Sequence, residues 1–121
     1  MEQQRKLIFF RNYFKDFVNT LPKKVQEKIG YVLFTVTVAY RIPSRFFEHL
    51  TGTDGLYEIR VEFESNIYRI FCCFDEGNLV VLFNGFQKKS QKTPKSEIDK
   101  ALKIKAEYFK DKAKNIKNEK R

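Results

Sequence analysis

The chain has 121 residues, a formal net charge of +9 and a pI near 9.6, with 42% hydrophobic residues and no Trp. That length fits one domain of common size, roughly 100–150 residues, and the apolar content excludes a disordered chain. No apolar run nears the ~20 residues that a membrane-spanning helix needs. The start Met1-Glu2-Gln3-Gln4-Arg5-Lys6 leads into no signal-peptide core, so a cytoplasmic location is expected.

In chain order, residues 5–10 form a short strand candidate. Phe10, Tyr13, Phe14, Phe17, Val18 and Leu21 then recur at helical spacing, which predicts a helix over about 11–20. Pro22 suits the first turn of a second helix, and Val25, Ile29, Val32, Leu33, Val36 and Tyr40 carry its apolar stripe to about residue 39. The β-branched run Thr35-Val36-Thr37-Val38 opposes that helix, because such side chains lose rotamer freedom there.

Pro43 stops the helix, and Thr51-Gly52-Thr53-Asp54-Gly55 reads as a loop. Leu56–Phe63 alternates Ile59, Val61 and Phe63 against Glu58, Arg60 and Glu62, the pattern of a half-buried antiparallel strand. Turns at Glu64-Ser65-Asn66 and Glu76-Gly77-Asn78 separate it from strands over Tyr68–Phe74 and Leu79–Phe86. Thr93 can cap, and Pro94 open, a last helix that turns Ile98, Ala101, Leu102, Tyr108 and Phe109 inward. The order β-αα-βββ-α predicts an α+β domain with its helices packed on one face of a mostly antiparallel sheet.

Cys72 and Cys73 are adjacent in a strand, so their side chains point to opposite faces and do not pair. They read as small buried hydrophobes. The single histidine, His49, has no second His or Cys pair at ligand spacing, so neither a metal nor a cofactor is expected. A lone loop histidine reads as a surface residue.

Charge is distributed unevenly. Residues 88–121 hold 13 Lys/Arg and 5 Asp/Glu, whereas residues 1–87 hold 11 and 10. Such a field favours a polyanionic partner, nucleic acid first and an acidic membrane surface second. Its most informative part is the connection Phe86-Gln87-Lys88-Lys89-Ser90-Gln91-Lys92-Thr93-Pro94-Lys95. It places Lys88, Lys89, Lys92 and Lys95 beside a rigid sheet, where phosphates can be held.

The strand pattern also places two arginines. If Ile59, Val61 and Phe63 share a face with Tyr68, Ile70 and Cys72, then Arg60 and Arg69 share the other, opposite or diagonal to each other. That face is expected to lie away from the helices, beside Lys88, Lys89 and Lys92. Pairing of each arginine with Glu58 or Glu62 is the competing arrangement. There is no glycine-rich phosphate loop and no nucleophile motif, so any chemistry must work through cations. RNA cleavage permits that, since the substrate carries its own 2′-OH nucleophile and Arg and Lys can stabilise the pentavalent dianion without a metal.

The runs Gly55-Leu56-Tyr57-Glu58-Ile59-Arg60-Val61, Tyr68-Arg69-Ile70 and Phe83-Asn84-Gly85-Phe86-Gln87-Lys88-Lys89-Ser90-Gln91-Lys92-Thr93-Pro94, with Glu97-Ile98, resemble the phage-derived HigB-like branch of the RelE/ParE type II toxin superfamily. The similarity spans roughly residues 5–110 and is densest over 55–102. It implies a RelE-like toxin domain over 1–110, followed by a lysine-rich tail over 111–121. It further implies an endoribonuclease that cleaves mRNA in the ribosomal A site, and a small helix-turn-helix antitoxin as partner. Carried over by position, Arg60 and Arg69 match the family's basic strand positions and Lys88 or Lys89 the basic position after the last strand, so Arg60, Arg69, Lys88 and Lys89 are the expected catalytic cations. Lys92, part of the branch's signature, Lys95 of the same basic run and Phe86, for which a core role stands equally open, are the expected RNA contacts. Glu58 stands where RelE itself has lysine, the family's C-terminal tyrosine has no secure counterpart near Tyr108, and His49 comes earlier than the histidine of histidine-using relatives. A ParE-like gyrase inhibitor and a nonenzymatic RNA-binding domain are the rival readings.

Overall fold

A computed structural model describes residues 2–89 and 92–119. Ser90 and Gln91 of the basic connection, and Lys120 and Arg121 of the tail, lie outside the described residues. Eight elements follow one another: β1 (Lys6–Phe9), α1 (Tyr13–Val18), α2 (Lys23–Val38), β2 (Phe47–His49), β3 (Tyr57–Phe63), β4 (Asn66–Asp75), β5 (Leu79–Lys88) and α3 (Lys95–Glu119). They build one five-stranded sheet in the order β1-β5-β4-β3-β2. Among the described residues only β1 runs parallel to its neighbour, β5, and the other pairings are antiparallel. The α+β architecture is thus the expected one, with the three-residue β2 added at the sheet edge.

The helices do not share a face. Val25, Ile29, Val32 and Val36 of α2 pack on Ile59, Val61, Tyr68, Ile70 and Cys72. Ala101 and Ile104 of α3 pack on Phe71, Cys73, Val81 and Phe83. Adjacent strand residues point to opposite sides, so Cys72 and Cys73 fall in different cores, both free and buried. Two apolar layers thus sandwich the central strands, which accounts for β4 being buried from Tyr68 through Cys73. An all-on-one-side arrangement would need polar residues at alternate positions there. Instead, Phe71 and Cys73 are apolar and require a cover.

Helix α2 tolerates its β-branched end because each polar group there finds a partner. Thr35 and Thr37 donate their hydroxyls to the Tyr31 and Phe34 carbonyls at 3.1 and 2.6 Å, and Val36 is fully buried. Beyond them, Arg5 donates to the Val36, Ala39 and Tyr40 carbonyls at 3.1, 2.7 and 3.2 Å. A helix leaves its last carbonyls without intrahelical donors, and a cation near that end also complements the helix dipole. Arg5 therefore ties the start of β1 to the end of α2. Helix α1 is shorter than its periodicity suggests, six residues entered through Arg11 at φ 55°.

Helix α3 runs unbroken past residue 110 to Glu119. Arg11 binds Glu107 and Asp111, while Lys112 and Tyr108 bind Asp75. The first positions of the lysine-rich segment therefore touch the sheet end.

Candidate functional site

Register decides which charges meet. Arg60 pairs directly with Arg69 across β3 and β4, and Arg69 pairs with Phe86 across β4 and β5. One row across the sheet thus reads Arg60, Arg69, Phe86. The next pairs Glu62 with Ile67 and Ile67 with Lys88, and two-residue periodicity puts Lys88 on the same face. A bulge between Ile70 and Cys72 makes this possible: the extra β5 residue shifts the alternation so that Phe83 and Phe86 both lie on the α3 face. Gly85 sits opposite Ile70, where a Cβ would come within 2.5 Å of the Phe17 ring and 2.9 Å of the Arg69 carbonyl. Only a residue without Cβ lets the strands and α1 approach so closely.

Two like charges in direct opposition repel, and acids intervene. Arg69 pairs with Glu58, and Arg60 pairs with Glu62 at 2.9 Å. The two pairs differ in depth. The Glu58 and Arg69 side chains are 2% and 7% exposed, whereas those of Arg60 and Glu62 are 34% and 60% exposed. Arg69 is therefore a recessed support beneath the site, and Arg60 and Lys88 flank it nearer the surface.

The carboxylate that pairs with Arg69 has a second partner: Thr93 donates to the other Glu58 oxygen at 2.6 Å. Expected to cap α3, Thr93 instead anchors the basic connection to β3. Helix α3 starts at Lys95, with the Pro94 carbonyl accepting from the Glu97 and Ile98 amides at 3.1 and 3.2 Å. The arginine face does not lie away from the helices: α3 packs on the same side of the sheet. The apolar residues of α3, which need a sheet surface, account for this.

Lys88 lies in the combined field of this cluster. Burial and the neighbouring Arg69 lower its ammonium below the ordinary lysine value, Glu58 and Glu48 resist, and Arg60 adds to the lowering. Phe86 is half-buried and stacks on Phe71, centroids 5.5 Å apart at 17°, so its ring belongs to the α3 core. Lys89, Lys92 and Lys95 are exposed on or beside the connection, and Lys95 lies 3.8 Å from Asp99. The structure thus brings Arg60, Arg69, Phe86 and Lys88 together, with the remaining lysines as an outer rim.

Two other candidates are placed elsewhere. His49 pairs with Tyr57, on the α2 face opposite the arginines, and donates to the Thr53 carbonyl at 3.1 Å. Tyr108 donates to Asp75 at 2.6 Å, six residues along β4 from Arg69, or ~20 Å of strand. Burial pushes both thiols up, that of Cys73 to about 11, so thiolate chemistry is disfavoured. Among the described residues no cluster fits a metal ion, and no helix is long and apolar enough to cross a membrane.

The pairing of the arginines with Glu58 and Glu62, the competing arrangement in the sequence, is the one the structure shows, and only Glu48 was not singled out. Glu58 sits on the α3 side of its strand and is 2% exposed, bonded to both Arg69 and Thr93. The signal available was Thr93 itself, a hydroxyl at the end of a basic run facing an acid two strands away.

A model of the phage-derived Gp49-like protein family (DUF891) matches residues 16–106, which includes β2 to β5, all but the first helical residues, and the first half of α3. The chain belongs to this family. Gp49-like proteins are RelE/HigB-like toxins, and the observed α+β fold with its mixed sheet is consistent with the RelE type. No curated protein matches the chain. In this Gp49-like protein the matched segment contains Arg60, Arg69, Phe86, Lys88, Lys89, Lys92 and Lys95.

Proposed function

We propose that this Gp49-like protein is the toxin of a type II toxin–antitoxin pair and a ribosome-dependent mRNA endoribonuclease. The observation that carries the reading is the Arg60–Arg69–Phe86 row with Lys88 beside it, held on a rigid sheet. Three cations converging on one face suit a phosphodiester better than a small neutral substrate.

The chemistry needs little else. The ribose 2′-oxygen attacks the adjacent phosphorus, its proton is released, and the phosphorus–5′-oxygen bond breaks as that oxygen gains a proton. A 2′,3′-cyclic phosphate and a 5′-OH result. Lys88 and Arg60 hold the non-bridging oxygens as charge builds in the pentavalent state, and Arg69 fixes the field beneath them. Internal attack replaces a metal-activated water. Isolated cations position RNA poorly, so the ribosomal A site supplies the constrained path. A helix-turn-helix antitoxin covering the basic face completes the proposal.

Inducing the chain in a bacterium and mapping transcript 5′ ends, with and without active translation, tests it. The expected result is new in-frame 5′-OH ends that vanish when translation is blocked and are absent for Lys88→Ala. Intact transcripts with a DNA-damage response would instead identify a gyrase inhibitor, and harmless expression a binding domain.

A further inference from the structure

Strand β2 pairs β3 as far as Phe47 with Ile59, and the Arg60 amide donates to the Phe46 carbonyl at 2.9 Å just beyond. Beyond it, the end of β3 and the middle of α2 enclose a cleft of about 400 Å³, within the range of small-ligand sites. Lys28, Arg45 and Arg60 bring cations to it, Tyr31 and Phe46 bring rings, and Glu62 and Glu64 bring acceptors.

We propose that this cleft binds one nucleotide of single-stranded RNA, next to the bond cut on the arginine face. The proposal rests on the nuclease reading for the identity of the strand, and its own support is the composition of the cleft. Lys28 lies over the Tyr31 ring at 5.3 Å and Arg45 over the Phe46 ring at 4.7 Å. Rings thus hold these two cations while leaving their N–H groups for a phosphate. Tyr31 is 58% exposed, a large ring left to water at the cleft, and base stacking on such a ring tolerates any sequence. The carboxylates argue against a bare phosphate site, since they would repel it. Glu62 is neutralised by Arg60 at 2.9 Å, and a free oxygen can accept from the amino groups of a base. Cations, rings and acceptors together are the complement of a nucleotide.

Position links the cleft to the chemistry. Arg60 lines the cleft and also sits opposite Arg69. Lys88 lies two strands from β3, ~10 Å across the sheet. A strand whose scissile phosphate rests between Lys88 and Arg60 therefore has its neighbouring nucleotide at the cleft mouth.

The test uses the full chain and a single-stranded RNA carrying 4-thiouridine, with Tyr31→Ala and the Lys28→Ala/Arg45→Ala pair as variants. All three side chains lie at the surface, so circular dichroism and Tm should match the unmodified chain. Irradiation is expected to crosslink RNA to Tyr31 or Phe46, and the variants to lose crosslinking and raise KM on programmed ribosomes about tenfold with kcat retained. Crosslinks confined to other surfaces, or variants that crosslink like the unmodified chain, overturn the cleft assignment; so does occupation of the cleft by an acidic peptide with no RNA crosslink. Failure of the two readings is distinguishable. Crosslinking at Tyr31 in a chain that cuts no transcript keeps the cleft and sinks the nuclease, whereas normal cutting by all cleft variants does the reverse.

Discussion

Thr93 donates its hydroxyl to the Glu58 carboxylate at 2.6 Å, and the same carboxylate holds Arg69. One acid therefore fixes both the deepest cation of the site and the basic connection above it. Thr93→Val keeps the shape and removes the donor. Hydrogen bonds to charged groups contribute about 1.5–3 kcal/mol, and the partly buried position of this one places its loss at the lower end. Urea titration is expected to show a lower midpoint with an unchanged slope, accompanied by weaker cleavage because the lysines after β5 lose their anchor.

The buried pair itself makes a sharper prediction. Removing either Glu58 or Arg69 leaves the other charge buried and uncompensated, which typically costs about 3–5 kcal/mol. Glu58→Ala and Arg69→Ala are each expected to be strongly destabilised. The double replacement Glu58→Leu/Arg69→Met, which removes both charges, should recover most of that loss. A double variant no more stable than either single one would show that the pair is not coupled. Lost toxicity in Arg69→Ala alone thus reports folding as much as chemistry, and Lys88→Ala is the cleaner probe of the site.

The face shared by Arg60 and Arg69 was legible because strand alternation has a period of two and the hairpin turn fixes the register. Direct opposition of the two arginines follows from the same pattern that buries Ile59, Val61 and Ile70. The side on which α3 lies was not legible from its own periodicity. An amphipathic helix states which of its faces is apolar, not which side of the sheet will receive it. The clue lay in β4, where Phe71 and Cys73 are as buried as Ile70 and Cys72, the mark of a strand covered on both sides. Strand β2 escaped notice because Phe47–His49 is three residues long, too short to display an alternation. The second partner of Glu58 was hidden for a different reason: Thr93 lies 35 residues away in sequence.

The Asp75 end of the sheet sets a pH dependence separate from the site. Burial alone pushes the Asp75 carboxyl up, but the Tyr108 hydroxyl and Lys112 ammonium outweigh it and leave the carboxyl below its ordinary value. Burial and the same bond push the Tyr108 phenol up to about 12. Asp75 therefore contributes stability above the unfolded carboxylate pKa of about 3.9, lost as pH falls through the lowered folded value. Tyr108 contributes stability that is full below its unfolded value of about 10 and is lost as pH rises towards about 12. Tyr108→Phe is expected to lower Tm near neutrality and to flatten the alkaline limb of the stability curve. It should leave the site's cleavage intact, because the phenol lies at the other end of β4 from Arg69.

Lys88 is predicted to trade stability for function. Burial and the adjacent Arg69 and Arg60 lower its ammonium against the pull of Glu58 and Glu48, so the folded protein holds this proton less tightly than the unfolded chain does. Stability then rises with pH from the lowered folded value up to the ordinary lysine value of 10.5, because the unfolded state binds more protons in that window. At neutral pH the charge is present and costs stability, which removal of the side chain relieves. Lys88→Met is therefore expected to melt at or above the temperature of the unmodified protein while losing mRNA cleavage, a pairing common where a site is built from mutually repelling groups. Lys88→Arg should retain cleavage and hold it to higher pH, since a guanidinium stays charged where this ammonium does not. Thermal melts of Lys88→Met with 5′-end mapping, and a pH profile of Lys88→Arg on programmed ribosomes, check the two halves. A Lys88→Met variant that melts lower would mean that the amine is held by favourable contacts, and the case for Lys88 as a cation kept ready for phosphate would fall.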